Sequence, residues 1–152
     1  MGKDQLMGAS LRSLFACGAF GLCVSACQAG TEPSGAVRME LSGTVFQRAT
    51  PDPAIVTFTV SNVSTQRVYL SRCGSRIMTA IDQYVSGQWS DYSTDGCAAD
   101  QDMSPLPLEP GASLTSARGV NDAGVFRLRA GATGDPEQPY VWNVGLVRFE
   151  VR

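Results

Sequence analysis

The residues of this chain with the clearest chemical potential are four aspartates in the segment 91–105. That segment shows almost no strand pattern, and a loop of such length inside a compact domain is usually functional or disordered. The four carboxylates are those of Asp91, Asp95, Asp100 and Asp102. Carboxylate oxygens are the ligands that Ca²⁺ prefers, although the spacing here is not that of an EF-hand. The sequence therefore marks these residues as weak calcium candidates, and its simplest interpretation is a solvated loop that contributes little to folding.

Catalysis has few other residues to draw on, because the chain contains no histidine. Histidine is the commonest general base and the commonest metal ligand, so Ser-His-Asp and Cys-His hydrolysis are excluded. Two of the aspartates would suit glycoside hydrolysis only if their carboxyl groups lay about 5 to 10 Å apart in a sugar-binding cleft. We predict no catalytic residue and no cofactor.

The N-terminus has the layout of a signal peptide. Lys3 and Arg12 precede an apolar run from Leu14 to Val24, which is much shorter than the roughly 20 residues that a membrane-spanning helix needs. A charged start, a short apolar run and small residues at its end are typical of a cleaved secretory signal. We therefore predict a signal-peptide helix over residues 1–26 and an exported protein.

The end of this segment, Val24-Ser25-Ala26-Cys27, resembles a bacterial lipobox. The resemblance implies cleavage after Ala26 and transfer of a diacylglycerol to the Cys27 thiol, so that Cys27 becomes the N-terminus of the mature chain. Two or three acyl chains on one residue hold a protein firmly on a membrane. Cys17 and Cys23 fit the pattern less well. The alternative is ordinary cleavage after Ala26 that leaves Cys27 as a free thiol.

A lipid on Cys27 would tether one small domain to the cell envelope. Residues 27–36 are small and polar and include Pro33 and Gly35, a composition typical of a flexible spacer. The following residues 37–152 have the length of a single domain. The predicted location is a bacterial membrane, the outer membrane in a Gram-negative source, with the lipid as the membrane contact.

Two further cysteines, Cys73 and Cys97, lie in the predicted domain. A metal site would need more soft ligands, and the chain has no CxxC pair. Cysteines of exported proteins oxidise readily, so we predict a disulfide between them. It would link the strand that ends at Cys73 to the loop that holds Cys97. Closing about 25 residues should stabilise the fold by roughly 3 to 4 kcal/mol.

The charge of the predicted mature chain argues against nucleic acid as a partner. After residue 26 the chain has 10 Arg, no Lys and 13 acidic residues. Binding to phosphates needs a basic excess concentrated on one face. The arginines are spread singly along the sequence, and the sequence shows no basic patch.

Apolar residues alternate with polar residues along most of the domain, which indicates an all-β fold. Pro51-Asp52-Pro53 supplies a turn, because proline fixes its own φ and cannot donate to a strand ladder. Strands are predicted over residues 37–41, 56–60, 68–72, 77–85, 113–118, 125–129 and 141–151, with a short one around Trp89. Trp89 itself is interpreted as core or hairpin packing, and stacking on a ligand is the alternative.

The last strand changes its apolar phase near Gly145, since Trp142, Val144 and Leu146 share one phase and the following apolar residues share the other. A β-bulge there would restore the alternation. Seven or eight short strands joined by Gly, Pro, Asn and Asp turns predict an immunoglobulin-like antiparallel β-sandwich. A closed barrel is the alternative.

Three stretches of the domain resemble secreted bacterial immunoglobulin-like domains: Asn62-Val63-Ser64, Gly87-Gln88-Trp89 and the segment 108–113. The resemblance covers roughly residues 37–151. It implies that the first stretch ends a strand, the second marks a hairpin and the third is a turn before the strand that leads to the segment 124–129. The chain is also similar to the immunoglobulin-fold proteinase inhibitors of bacilli, from which it departs by its two domain cysteines.

These features favour a non-enzymatic interaction or structural module of the cell envelope. Sandwich domains bind partners through loops or strand edges and need neither a pocket nor a titrating residue. An envelope protein is the expected partner. The alternative is a small hydrolase accessory domain or a proteinase inhibitor that uses the acidic loop 91–105.

Overall fold

The fold is built of β-strands. The computed structural model describes residues 35–152, apart from the side chain of Asn143. The predicted signal peptide, Cys27 and the spacer as far as residue 34 lie outside the described residues. The strands are β1 (Val37–Leu41), β2 (Val45–Phe46), β3 (Ala54–Asn62), β4 (Val68–Leu70), β5 (Arg72–Cys73), β6 (Arg76–Ile77), β7 (Thr79–Val85), β8 (Gln88–Thr94), β9 (Leu106–Leu108), β10 (Ser113–Val120), β11 (Gly124–Thr133) and β12 (Val141–Val151). Within residues 35–152 no helix is long and apolar enough to cross a membrane.

The strands form two packed sheets and one small hairpin. Sheet A is antiparallel and has the order β1-β3-β10. Sheet B has the order β2-β12-β11, and the far edge of β11 is shared by β7 at residues 126–130 and by β4 at residues 132–133. In turn β7 pairs with β8, and β4 pairs with β9. The hairpin β5-β6 stands outside both sheets.

This strand order follows that of an immunoglobulin-like sandwich, in which strands A, B, E and D form one sheet and strands C, F and G the other. Sheet A of the described residues has no strand in the place of D, next to β10. The predicted fold class is confirmed. Two details differ from the expectation. The described residues contain twelve strands rather than seven or eight, because five of the twelve have only two or three residues. The pair of β2 and β12 is parallel, so the sandwich is not antiparallel throughout.

The core lies between the sheets and follows the predicted alternation. From β3 come Val56, Phe58 and Val60, which are almost completely buried. From β11 and β12 come Phe126 and Phe149, whose stacked rings have centroids 5.6 Å apart. Burying an apolar side chain of this size stabilises the fold by about 1.5 to 3 kcal/mol. Because every second residue of a strand enters the core, the residues between them form the outer face of each sheet.

The predicted bulge near Gly145 is present. Three steps along β12, from Val147 to Val144, match two steps along β11, from Leu128 to Ala130. Such a change of register is a β-bulge. Gly145 has a φ of 62°, and a Cβ at this position would lie 2.8 Å from the Cβ of Met39 in β1. Glycine is therefore required both by the backbone conformation and by the close approach of β1.

The three turn positions expected from the motifs are also observed. Asn62 ends β3, and its buried side-chain amide donates to the carbonyls of Gln66 and Leu108 at 2.7 and 2.9 Å. Gly87, with a φ of 87°, lies in the turn between β7 and β8. Gly111, with a φ of 75°, precedes β10. These turns set which residues of the following strands face outward.

The predicted disulfide between Cys73 and Cys97 is confirmed, with an S–S distance of 2.08 Å and Cα atoms 5.5 Å apart. It connects β5 to the segment that follows β8, as expected. The N–H of Gly74 donates to the carbonyl of Asp102 at 2.8 Å and adds a second attachment. The covalent bond thus holds the hairpin β5-β6 against a segment that belongs to neither sheet.

Candidate functional site

The four aspartates of the segment 91–105 lie in different surroundings. Asp91 is on β8, which extends to Thr94 and pairs with β7. The prediction of a loop from residue 91 is therefore wrong for its first four residues. The sequence pattern does not indicate this part of the strand, because its side chains are mostly polar and exposed. Such side chains are tolerated in an edge strand that has one face in solvent. The side chain of Asp91 is 85% exposed and lies 3.1 Å from Nη2 of Arg129.

Asp95 corrects the expectation of a solvated loop. Its side chain is only 8% exposed and is paired with Arg118 of β10, which is itself 14% exposed. The carboxylate also accepts hydrogen bonds from the backbone N–H and the hydroxyl of Thr79, at 2.8 and 3.0 Å. Arg118 donates further to the Ser93 hydroxyl at 2.9 Å. This pair joins the edge strand of sheet A to the segment after the edge strand of sheet B.

The remaining two aspartates lie on the surface. Asp102 is paired with Arg72 and accepts hydrogen bonds from Ser104, and these Ser104 hydrogen bonds hold the pKa of Asp102 below its ordinary value. Asp100 is exposed. In the described part of the chain, no group of three or more His, Cys, Asp or Glu side chains is placed to hold a metal ion. The calcium candidates are not brought together, because three of the four are each paired with a different arginine.

A pocket of about 150 Å³ lies near the start of β1, lined by residues 64–68 with Ala36 and Gly134. None of the four aspartates lines it. Two shallower depressions, along residues 37–39 and 40–44, likewise involve none of these carboxylates. The geometry that glycoside hydrolysis requires, two carboxylates across a cleft, therefore receives no support from these sites.

A different set of side chains comes together on the outer face of sheet B. We call it the aromatic–arginine face, and its members are Tyr84, Trp89, Arg127, Arg129 and Arg148 with the two carboxylates Asp82 and Asp91. One row crosses four neighbouring strands, because Arg148 faces Arg127, Arg127 faces Asp82, and Asp82 faces Asp91. Like charges directly opposite on neighbouring strands are destabilising. Arg148 and Arg127 form such a pair at one end of the row, and Asp82 and Asp91 form one at the other end. The other members of the face reduce the repulsion at both ends.

Asp82 is the buried carboxylate of the row, with a side chain only 2% exposed. Its two oxygens accept from Nε of Arg127 at 2.6 Å and from Nη2 of Arg129 at 3.0 Å. Burial by itself would raise the pKa of Asp82, but the hydrogen bonds from Arg127 and Arg129 outweigh it and leave the pKa below its ordinary value of 3.8. Arg129 also contacts Asp91, so its guanidinium separates the two like charges.

Trp89 relieves the arginine end of the row. The guanidinium carbons of Arg127 and Arg148 lie 4.8 and 5.3 Å from the centre of its ring, within the range of a cation–π interaction. Tyr84, opposite on β7, has its ring centre 5.1 Å from that of Trp89. Trp89 is therefore neither a core residue nor only a hairpin contact, since it carries two cationic neighbours on the outer face of the sheet.

The sequence interpretation missed this face. It noted that the arginines are spread singly, whereas the fold brings Arg127, Arg129 and Arg148 together. Two signals were present: arginines two residues apart in a strand share one face, and Asp82 is the only charged residue of the predicted strand 77–85. The partner strands of β11 could not be predicted from the sequence, because β7 and β12 pair with it from other parts of the chain.

Comparison with known proteins assigns no family to the chain. No family model matches it, and no curated protein matches it. Among solved structures, it is similar to a Northeast Structural Genomics Consortium target, SoR45, at 14% identity and a TM-score of 0.41, over 77% of this chain and 88% of that one.

Two enzymes are also among the similar structures. The alkylpurine DNA glycosylase of Pseudomonas fluorescens, bound to DNA with an abasic site analogue, has 15% identity and a TM-score of 0.41 over 77% of this chain and 30% of that one. A β-glucosidase of Listeria innocua has 11% identity and a TM-score of 0.32 over 76% of this chain and 16% of that one. At these identities and TM-scores the similarities carry neither an activity nor a partner over to this chain.

Proposed function

We propose that this chain is a non-enzymatic binding module of the bacterial cell envelope, and that its aromatic–arginine face binds an acidic segment of a protein partner. The observation that carries the proposal is the composition of that face. Trp, Tyr and Arg are the residues most enriched where protein interfaces gain their binding energy. Here one Trp, one Tyr and three Arg lie side by side on one sheet.

The charge of the face supports an acidic partner. It carries three arginines and two aspartates, whereas acidic residues outnumber arginines in the chain after residue 26. Arg148 stacks on Trp89 and has no ion pair with any described residue. The face thus offers more guanidinium donors than its own carboxylates accept, and a partner carboxylate would complete it.

The support for a membrane tether comes from the sequence alone. Export and lipidation rest on the apolar run of residues 14–24 and on the lipobox-like residues that end at Cys27. A sandwich domain on a short flexible spacer would stay close to the membrane surface. Mass spectrometry of the membrane-extracted protein tests the tether, since a diacylated chain beginning at Cys27 is expected. Membrane attachment that persists in Cys27→Ala would contradict it.

The binding proposal is tested with the purified full chain and a short glutamate-rich peptide as the probe. We expect binding that weakens with salt and falls at least about tenfold in Arg148→Gln, because one charge-assisted hydrogen bond to a carboxylate contributes about 1.5 kcal/mol or more. The matched control is Arg38→Gln, which removes an exposed arginine from the outer face of sheet A. Equal loss in both variants, or no loss in Arg148→Gln, would show that the face is not the binding site.

A further inference from the structure

The outer edge of β10 is long, contains no proline and turns no charged side chain outward. This strand has eight residues and pairs with β3 without any shift in register. Natural proteins shield such edges with short strands, proline, bulges or charges, because unpaired N–H and C=O groups invite another strand. The one charged residue of β10, Arg118, faces inward and is paired with Asp95, so an edge of this length is a place where a strand can be added.

The other edges differ from β10 in this respect. The strand β2 has two residues, and β9 has three residues with Pro107 at its centre. The strand β1 turns Arg38 and Glu40 outward. The strand β8 carries the exposed charge of Asp91 and has a register shift opposite Ile81 and Asp82. Each of these edges is short, charged or interrupted.

The backbone of β10 presents its free groups at alternate residues. The N–H of Asn62 donates to the carbonyl of Ala112, and hydrogen-bonded pairs alternate along an antiparallel ladder. The N–H and C=O groups of Leu114, Ser116 and Arg118 therefore point to β3. Those of the four residues between and beside them point to the open edge, and the four are Ser113, Thr115, Ala117 and Gly119.

The side chains of these four residues are small, uncharged and exposed. The charged residue of the strand, Arg118, faces inward and is paired with Asp95, so an added strand would bury no unpaired charge. We propose that a second copy of this chain adds its own β10 to this edge, antiparallel and centred on Ser116. That centring places Ser113 opposite Gly119 and Thr115 opposite Ala117 of the second copy.

The open edge of β10 is self-complementary, which favours a second copy of this chain as the source of the added strand. A two-fold interface uses the same patch on both copies, and the four edge residues face one another here without a like-charge contact or a bulky clash. The hydroxyls of Thr59 and Thr115, 2.9 Å apart, and of Ser61 and Ser113, 2.7 Å apart, already bond across β3 and β10. Pairing two copies would join two three-stranded sheets into one of six strands. The dimer is independent of the aromatic–arginine face, which lies on the other sheet.

One strand pair buries less surface than the roughly 1,200 Å² of a stable interface, so the dimer should be weak and concentration-dependent. Sedimentation velocity of the purified full chain across a wide concentration range tests it. We expect Ala117→Pro to weaken dimerisation at least about tenfold, since the lost N–H points to the open edge and the ladder with β3 stays intact. Ala117→Ser keeps the N–H and is the matched control.

If Ala117→Pro fails to fold, a charge pair introduced across the two copies tests the dimer instead. Thr115→Lys should weaken the dimer, and adding Ala117→Glu should restore it, because residue 115 of one copy faces residue 117 of the other. A photocrosslinking residue at position 115 in the native envelope should link two copies of the chain. A wild-type chain that stays monomeric, a double variant without rescue, or a crosslink only to a different protein would overturn the proposal.

Discussion

The outer faces of the two sheets differ in chemistry although the same alternation builds both. On sheet A the residues between the core positions include Thr59, Ser61, Ser113 and Thr115, whose hydroxyls bond in cross-strand pairs. On sheet B the corresponding positions carry the aromatic–arginine face. On sheet A these hydroxyls lie beside the exposed charges of Arg38 and Glu40 and an open edge, whereas sheet B holds a buried carboxylate and stacked arginines.

The two faces differ in how much their polar contacts contribute to the free energy of unfolding. The hydroxyl pairs of sheet A are exposed, so water replaces them at little cost. Asp82 on sheet B is desolvated, so its hydrogen bonds from Arg127 and Arg129 are essential once the residue is buried. Substitutions on the two faces should therefore differ strongly in their effect on the free energy of unfolding, and so should substitutions at the points that join the two sheets.

The largest effect is expected at the joint between the sheets. Asp95→Asn leaves the largely buried guanidinium of Arg118 without its countercharge, and breaking a buried ion pair costs about 3 to 5 kcal/mol. For a domain of this size the melting temperature should fall by about 10 to 20 °C. Asp100→Asn is the control in the same segment and should stay within about 0.5 kcal/mol of wild type. Equal melting temperatures for the two variants would mean that this segment is solvated after all.

The disulfide should rank next. Reduction, or the double substitution Cys73→Ser with Cys97→Ser, opens a link of 24 residues' separation and should cost about 3 to 4 kcal/mol in the chain-entropy model. Thermal melts with and without a reductant measure the loss. The double variant serves as the control, because its melting temperature should not respond to the reductant. A wild type that is equally insensitive would show that the bond does not stabilise the domain.

On sheet B we expect Asp82→Asn to cost about 2 to 3 kcal/mol at neutral pH, since it removes the charge from hydrogen bonds to two arginines. The folded-state pKa of Asp82 is below its ordinary value of 3.8. Its stabilisation is thus present above that value and is lost as the pH falls through the folded-state pKa. The gap between wild type and variant, measured by urea unfolding, should narrow below about pH 4. A gap that is independent of pH would assign the loss to packing.

The smallest effect is expected on sheet A. Thr115→Val removes the hydroxyl pair with Thr59 but keeps the branched shape that suits a strand. Because the pair is exposed, the free energy of unfolding should change by less than about 0.5 kcal/mol. Urea unfolding under the same conditions as for Asp82→Asn makes the comparison direct. A loss as large as on sheet B would remove the contrast between the two faces.

Much of the fold follows from short-range signals in the chain. The alternation in β3 and β12, the phase change at Gly145 and the turn glycines Gly87 and Gly111 each act over a few residues, so each could be interpreted without knowing the partner strand. The pairing of Cys73 with Cys97 was also predictable, because the described domain contains only these two cysteines. The C-terminal end of β8 at Thr94 was not predictable, because the mostly polar side chains of this strand do not alternate with apolar ones.

The sequence by itself determined that this is an all-β domain with a disulfide and a bulge at Gly145, because strand period, turn chemistry and cysteine number are local or compositional properties. Only the tertiary structure decided which charges meet. Asp82 and Arg127, or Asp95 and Arg118, are brought together by strand pairing and sheet packing between residues that are tens of positions apart. Through this pairing Asp95, which the sequence placed in an acidic loop, forms a buried ion pair between the sheets. The same pairing brings three arginines from separate positions in the chain to the face that contains Trp89.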